Sequence, residues 1–202
     1  MNQNLKSYIP QAALDQVDQL LLDDCLEVVV KKARKTRHGD YRKLKNGHHQ
    51  ITVNSNLNTS RFLVTLLHEI AHYEAYKTYG SKIKPHGKEW KMTFQRLALP
   101  FLRPEIFPNQ VLPYLAHYFK NPKASSDSDV QLSRVLRELD PPNEKTYIFE
   151  VEEGAKFKTH NGKLFRKGKK RRTRYEATEL QSGRLYSFSP NAEIELIKDR
   201  NE

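Results

Sequence analysis

His68-Glu69-Ile70-Ala71-His72 is the stretch whose reading decides the fold. On a helix, residues four apart are separated by one turn plus about 40°. His68 and His72 would therefore stack on one face and could share a metal ion. Glu69 lies about 100° round from His68, away from the position of a third ligand for that pair. From there it could reach a zinc-activated water as general base. The same string on a solvated helix would be two surface imidazoles, so the surroundings decide. Arg61-Phe62-Leu63-Val64-Thr65-Leu66-Leu67 is apolar enough for a buried helix. Asn58, Thr59 and Ser60 offer N-cap side chains, and Gly80 offers a stop. The helix predicted from about Thr59 to Tyr79 carries the motif in its middle. Two histidines and a glutamate in an apolar helix need partners, because unpaired buried polar groups are costly, and a metal meets that need.

Upstream, residues 11–24 read as an amphipathic helix after Pro10, with Ala13, Leu14, Val17, Leu20, Leu21 and Leu22 on its apolar side. Leu26 to Val30 is a β-branched strand signal that continues more weakly through the basic block toward Tyr41. Asn46-Gly47 marks a turn, and His49 to Asn54 alternates as a half-buried strand would. Downstream, Lys88 to Leu97 spaces Trp90, Phe94 and Leu97 on one helix face. Pro100, Pro104 and Pro108 break the chain. Further helices are predicted over 108–119 and over 127–139, the second capped by Ser126 or Asp127, with an exposed polar loop over 123–129. A change of character at Asp140-Pro141-Pro142-Asn143 divides the chain into domains 1–140 and 141–202. Strands are predicted in the second over 146–151, 156–160, 163–165, 173–180 and 184–188, with hairpin turns at Asn161-Gly162 and Ser182-Gly183.

The chain has 202 residues, 37% hydrophobic and 29% charged, enough for one good core and a small appendage. Cys25 is the only cysteine; it excludes an internal disulfide and a cysteine-rich zinc ribbon, and a small buried position on the first helix suits it. The N-terminal sequence shows no signal-peptide pattern and no apolar run could span a bilayer, which points to the cytoplasm. The net charge is +11 and the pI near 9.6. The cations cluster at Lys31 to Arg37 and at Arg166 to Arg174, which favours a polyanion such as DNA.

A catalytic zinc takes three protein ligands and keeps a position open. His86 is the best third ligand: it lies 13 residues beyond His72, after a loop that can turn the chain back, between Pro85 and Gly87. His38, His48, His49, His117 and His160 read as surface or core polar groups. His68-Glu69-Ile70-Ala71-His72 followed by His86-Gly87-Lys88-Glu89-Trp90 resembles the SprT/Spartan metalloprotease family, with its HExxH and HGxxW motifs. The resemblance runs from about Leu14 to Leu97. It implies an α+β fold with a zincin-like (minigluzincin-type) core, one Zn2+ on His68, His72 and His86, Glu69 as general base, and cleavage of peptide bonds. In the Spartan branch the substrates are proteins crosslinked to DNA.

Bacterial members often add a zinc-ribbon-like β-module. Here residues 141–202 resemble such a module without its cysteines, so one metal is expected. Either Tyr147, Phe149, Phe157, Phe165, Tyr175, Tyr186 and Phe188 hold this tail together, or it docks on the core. Lys169, Lys170, Arg171, Arg172 and Arg174 are its candidate nucleic-acid contacts. Trp90 reads as a core anchor. Neither Tyr73 nor Tyr79 is favoured as oxyanion donor, and the His49–Asn54 strand is a candidate edge for an extended substrate. The expected protein is a monomeric zinc endopeptidase acting near DNA. The competing readings are a DNA-binding or adaptor protein with a structural or vestigial zinc, and a general peptidase with no link to nucleic acid.

Overall fold

The turn that ends the first helix shows how local chemistry overrides an apolar pattern. In the computed structural model, which describes residues 3–34, 37–141 and 146–197, helix α1 spans only Leu14–Leu20. The Asp23 carboxylate turns back, accepting from the Cys25 N–H at 2.9 Å, the Tyr73 hydroxyl at 2.5 Å and the Lys77 ammonium at 2.7 Å. This Asx-type turn competes with continued helix. Leu22 is consequently 70% exposed rather than on the apolar side, and Cys25 is exposed in the turn rather than buried on the helix.

Residues 1–140 and 141–202 form two compact units. In the first, β1 (Leu26–Lys31), β2 (Gly39–Lys43) and β3 (His49–Asn54) make one sheet in the order β1-β3-β2. β3 pairs parallel with β1 and antiparallel with β2. The strand reading of His49–Asn54 holds, but not its half-buried alternation: Ile51, Thr52, Val53 and Asn54 are all buried. Because β3 is central, both its edges are used, and it cannot pair with a substrate. The edge role passes to β2. Nor does the first strand run on through the basic block. The chain leaves β1 at Lys31, and the Arg34 guanidinium donates to Asn54 Oδ1 at 2.8 Å; Lys35 and Thr36 lie outside the described residues.

Helix α2 spans Thr59–Tyr79 and packs against β2 and β3. Asn58 Oδ1 accepts from the Arg61 N–H at 2.9 Å, and Gly80, at φ 75°, ends the helix. Its run from Ser60 to Leu67 is buried all round, as expected of a helix covered on several sides. α3 (Lys88–Ala98) sets Trp90 and Phe94 into the same core. α4 (Leu112–Lys120) starts later than the Pro108 signal because Pro108 to Val111 forms a turn. α5 (Val130–Arg137) is capped by Asp129, not by Ser126 or Asp127. Those two residues have another role, and 123–129 is not simply an exposed loop. Ser126 is buried, and Asp127 lies 2.5 Å from His38 Nε2 and accepts from Ser133 Oγ at 3.2 Å.

The second unit is an antiparallel sheet in the order β4-β9-β5-β6-β7-β8. Its strands are β4 (Thr146–Tyr147), β5 (Lys156–Lys158), β6 (Leu164–Arg171), β7 (Arg174–Glu179), β8 (Leu185–Phe188) and β9 (Glu193–Leu196). β4 is cut short by a 3-10 turn over Ile148–Glu150. β6 is longer than its apolar part because the basic block continues it, and β9 had no clear sequence signal. Gly162 and Gly183 adopt φ 84° and 69° in the expected turns. The unit has its own core of Ile148, Val151, Phe157, Phe165, Ala177 and Ile194, flanked by Tyr175, Tyr186 and Phe188. Among the described residues, no helix is long and apolar enough to cross a membrane.

Asp23 ties the α1–β1 turn to α2, and the Lys77 ammonium, with Tyr73 and Cys25, holds its carboxyl well below the usual range. A depressed folded-state pKa contributes stability that is fully present above the unfolded value near 3.8 and is lost as pH falls below it. Asp23→Asn should lower Tm by a few degrees at neutral pH, and the gap to the parent should narrow as pH drops below about 4. Melting curves followed by circular dichroism across pH 2–7 check this; a gap independent of pH would contradict it.

Candidate metal centre

Helix α2 turns His68 and His72 toward the cleft, and the loop between Gly80 and α3 returns a third imidazole to them. That loop holds His86 at φ 58°, the one non-glycine residue at positive φ among the described residues. Histidine tolerates this left-handed region better than bulky residues do, but it is uncommon and is often found where function requires it. The conformation brings His86 Nε2 to 3.1 Å from His68 Nε2 and 3.0 Å from His72 Nε2. One imidazole nitrogen can donate a proton to only one of two such neighbours. Three converging lone pairs therefore fit a cation better than a hydrogen bond. Zinc–nitrogen bonds of ~2.0–2.1 Å in a tetrahedral site set nitrogens ~3.3 Å apart, close to what is seen. His68, His72 and His86 form the one group of three or more potential metal-ligating side chains found among the described residues.

The electrostatics agree with the geometry. Burial, then its two histidine neighbours, pushes His68 down to about 2; burial and His86 push His72 to about 4; burial lowers His86 as well. All three shifts favour the neutral imidazole, with a lone pair to give. Trp90 is fully buried, with its ring 4.6, 5.3 and 4.7 Å from those of His68, His72 and His86. Its indole N–H reaches the His68 carbonyl at 3.4 Å. A single rigid ring thus sets the spacing of the three ligand candidates.

Glu69 lines the same cleft, which measures about 420 Å³ and is bordered by Gly39, Asp40 and Tyr41 of β2, by Tyr76, and by Ile83 to His86. Burial, and then the charge of Asp40, pushes its carboxyl up to about 8, against the pull of Arg34, Arg37 and a hydrogen bond from the Tyr41 backbone. β2 runs hard against this carboxylate. A Cβ at Gly39 would sit 2.6 Å from Glu69 Oε1 and 2.7 Å from Thr65 Cγ2. Glycine is required here by the close approach of strand to helix.

Residues 10–107 match the SprT-like family model, a span that takes in α1, the three-stranded sheet, the histidine helix and His86. They form a SprT-like domain. The proteins named "Protein SprT" from Pseudomonas fluorescens strains Pf0-1 and Pf-5 are 35% and 33% identical to the chain over 72 residues. That stretch covers 35% of this chain and 44% of each relative, so the chain spans less than half the length of the curated proteins it matches. No solved structure matches it.

The SprT-like domain also enlists residues that the sequence pattern did not single out. Tyr41 stacks parallel to His72 with centroids 6.1 Å apart, and its hydroxyl meets His49 Nδ1 at 2.8 Å. Burial pushes that hydroxyl up to about 12. Tyr76, one turn beyond His72, accepts from the Lys43 ammonium at 2.7 Å and lines the cleft. Its spacing from His72 was the readable signal. Tyr73 instead serves Asp23, and Tyr79 is exposed. His38 and His49 have defined partners, whereas His48, His117 and His160 are exposed.

The other candidate residues, Lys169, Lys170, Arg171, Arg172 and Arg174, are exposed on the β6–β7 hairpin of the second unit. Arg171 pairs with Glu176 at 2.7 Å and Arg174 donates to Ser187. Lys167, by contrast, is buried, donates to the Val151 carbonyl and lies over the Tyr175 ring. It belongs to the core of that unit rather than to its charged face.

Gly39→Ala should force β2 away from Glu69 and destabilise the SprT-like domain by about 1–3 kcal/mol, the range for overpacking. A thermal or urea melt reads this directly, and an unchanged midpoint would contradict the close approach.

Proposed function

We propose that the SprT-like domain is a zinc-dependent endopeptidase with a zincin-like core, and that its substrates are proteins bound or crosslinked to DNA. One observation carries the peptidase reading: three neutral imidazoles and one buried carboxylate converge in an open cleft. The all-nitrogen donor set suits zinc over magnesium or calcium, which prefer oxygen. His68, His72 and His86 would hold the ion. When bound, zinc supplies Lewis acidity and lowers the pKa of water toward about 7.

The chain's own residues supply the remainder. Glu69 accepts a proton as a water oxygen adds to the peptide carbonyl carbon, then returns it to the departing amide nitrogen as the C–N bond breaks. A cation beside it would favour the ionised form that a base needs, offsetting its burial. β2 is an edge strand of its sheet, and Gly39 to Tyr41 line the cleft, which suits an extended polypeptide laid alongside it. Tyr76 is the hydroxyl best placed to face the reacting carbonyl. The second unit's hairpin cations would hold the protein near DNA through phosphate contacts.

The competing reading, a DNA-binding or adaptor protein with a structural zinc, draws on the same hairpin. A structural zinc site closes with four protein ligands; here three side chains converge and a cleft opens beside them. That favours catalysis.

Glu69→Gln should retain metal and cut turnover of a DNA-bound or DNA-crosslinked protein by about 10²–10⁴-fold; parental turnover by that variant would overturn the peptidase reading. Neutralising Lys169, Lys170, Arg171, Arg172 and Arg174 to Gln should flatten the dependence of DNA affinity on salt, by a slope of about 0.9 per lost contact on duplex. Filter binding across a salt series checks it, and an unchanged slope would place the DNA contacts elsewhere.

A further inference from the structure

The loop that delivers His86 borders two clefts, not one. The second measures about 370 Å³ and is lined by His86, Gly87, Lys88, Lys91, Met92, Gln95 and Lys120. It carries three ammonium groups and no carboxylate. Glu89 lies beside Gly87 but is not part of the lining. Lys91 donates to Asn121 Oδ1 at 2.7 Å. The Lys88 and Lys120 ammonium groups have no hydrogen-bond or ion-pair partner among the described residues. The lysines are not there to neutralise acids of the fold.

Their spacing is fixed by backbone. The Gln95 amide donates to the Phe119 and Lys120 carbonyls at 2.8 and 2.9 Å, tying α3 to the end of α4. Met92, 51% exposed, gives the cleft an apolar wall between the cations. Like charges in a concave site focus the field and attract an anion. Since His86 lines both clefts, a polypeptide crossing the metal centre would continue into this one.

We propose that this cleft is a substrate subsite that takes aspartate or glutamate side chains on one side of the bond cleaved. The proposal rests on the peptidase reading and adds the substrate's chemistry to it. Carboxylates of a bound polypeptide fit this place because the three lysines line the cleft together with His86, which also lines the metal centre's cleft. Lysine's compact ammonium suits single carboxylates without demanding a fixed fork geometry.

The test uses the full chain and two fluorogenic peptides that differ only in Glu versus Gln beside the cleavage site. The parent should favour the Glu peptide by about tenfold in kcat/KM, less at high salt. Lys88→Gln/Lys91→Gln/Lys120→Gln should bring the ratio near one, and Lys120→Glu alone, on α4, should reduce it. A second readout needs no turnover: fluorescence anisotropy of the labelled peptides on full-length Glu69→Gln protein should show the same preference. Equal handling of both peptides, or a preference that survives the triple substitution, would overturn the subsite. If neither peptide is cleaved yet the binding preference holds, the peptidase reading fails and the acidic subsite stands. If the triple variant loses affinity for a labelled single-stranded oligonucleotide while the peptide preference persists, the cleft belongs to nucleic acid and the proposal is wrong.

Discussion

Three imidazoles gathered so that His86 Nε2 lies 3.1 Å from His68 Nε2 and 3.0 Å from His72 Nε2 are the constraint on which this structure depends. Left to themselves, three converging lone pairs would repel and each ring would seek a donor. Much of the SprT-like domain serves to prevent that relaxation. A long, capped and deeply buried helix fixes His68 and His72. A left-handed backbone at His86 turns the third ring inward, and Trp90 packs against all three. Strain of this kind persists only where the surroundings over-determine it.

The same constraint explains which parts of the site were legible in the sequence. His68, Glu69 and His72 lie within one turn of one helix, so helix periodicity alone places them. Asn58 and Gly80 bound that helix by ordinary cap chemistry. His86 was legible only as a histidine in a loop of suitable length; its φ of 58° was not. On the β2 side of the cleft, strand character toward Tyr41 was legible, but its place beside Glu69 was not. The weak alternation toward Tyr41 reads as a continuation of the first strand, whereas Gly39, Asp40 and Tyr41 belong to a separate strand that reaches Glu69 through sheet register with β3. Register between strands is a tertiary property.

The misreadings have a common cause. The apolar pattern carries the first helix on to Leu22 and Cys25, but the helix ends at Leu20 and Asp23 organises the turn that follows. The His49–Asn54 strand, a candidate substrate edge from its sequence, has both edges taken by neighbouring strands. The α5 cap moved to Asp129 because Asp127 is engaged with His38 and Ser133. In each case contacts made in the folded chain outweighed a local pattern. In the second unit the pattern served better, because its hairpin turns and its own aromatic core are local features.

Zinc K-edge X-ray absorption on the purified full-length chain tests the central claim most directly. The account predicts one zinc per chain, three imidazole nitrogens at ~2.0–2.1 Å and a fourth light-atom ligand, with no sulfur. The imidazole signal should drop to two in His86→Ala. A chain that takes up no zinc, or a zinc whose imidazole count is the same with and without His86, would contradict it.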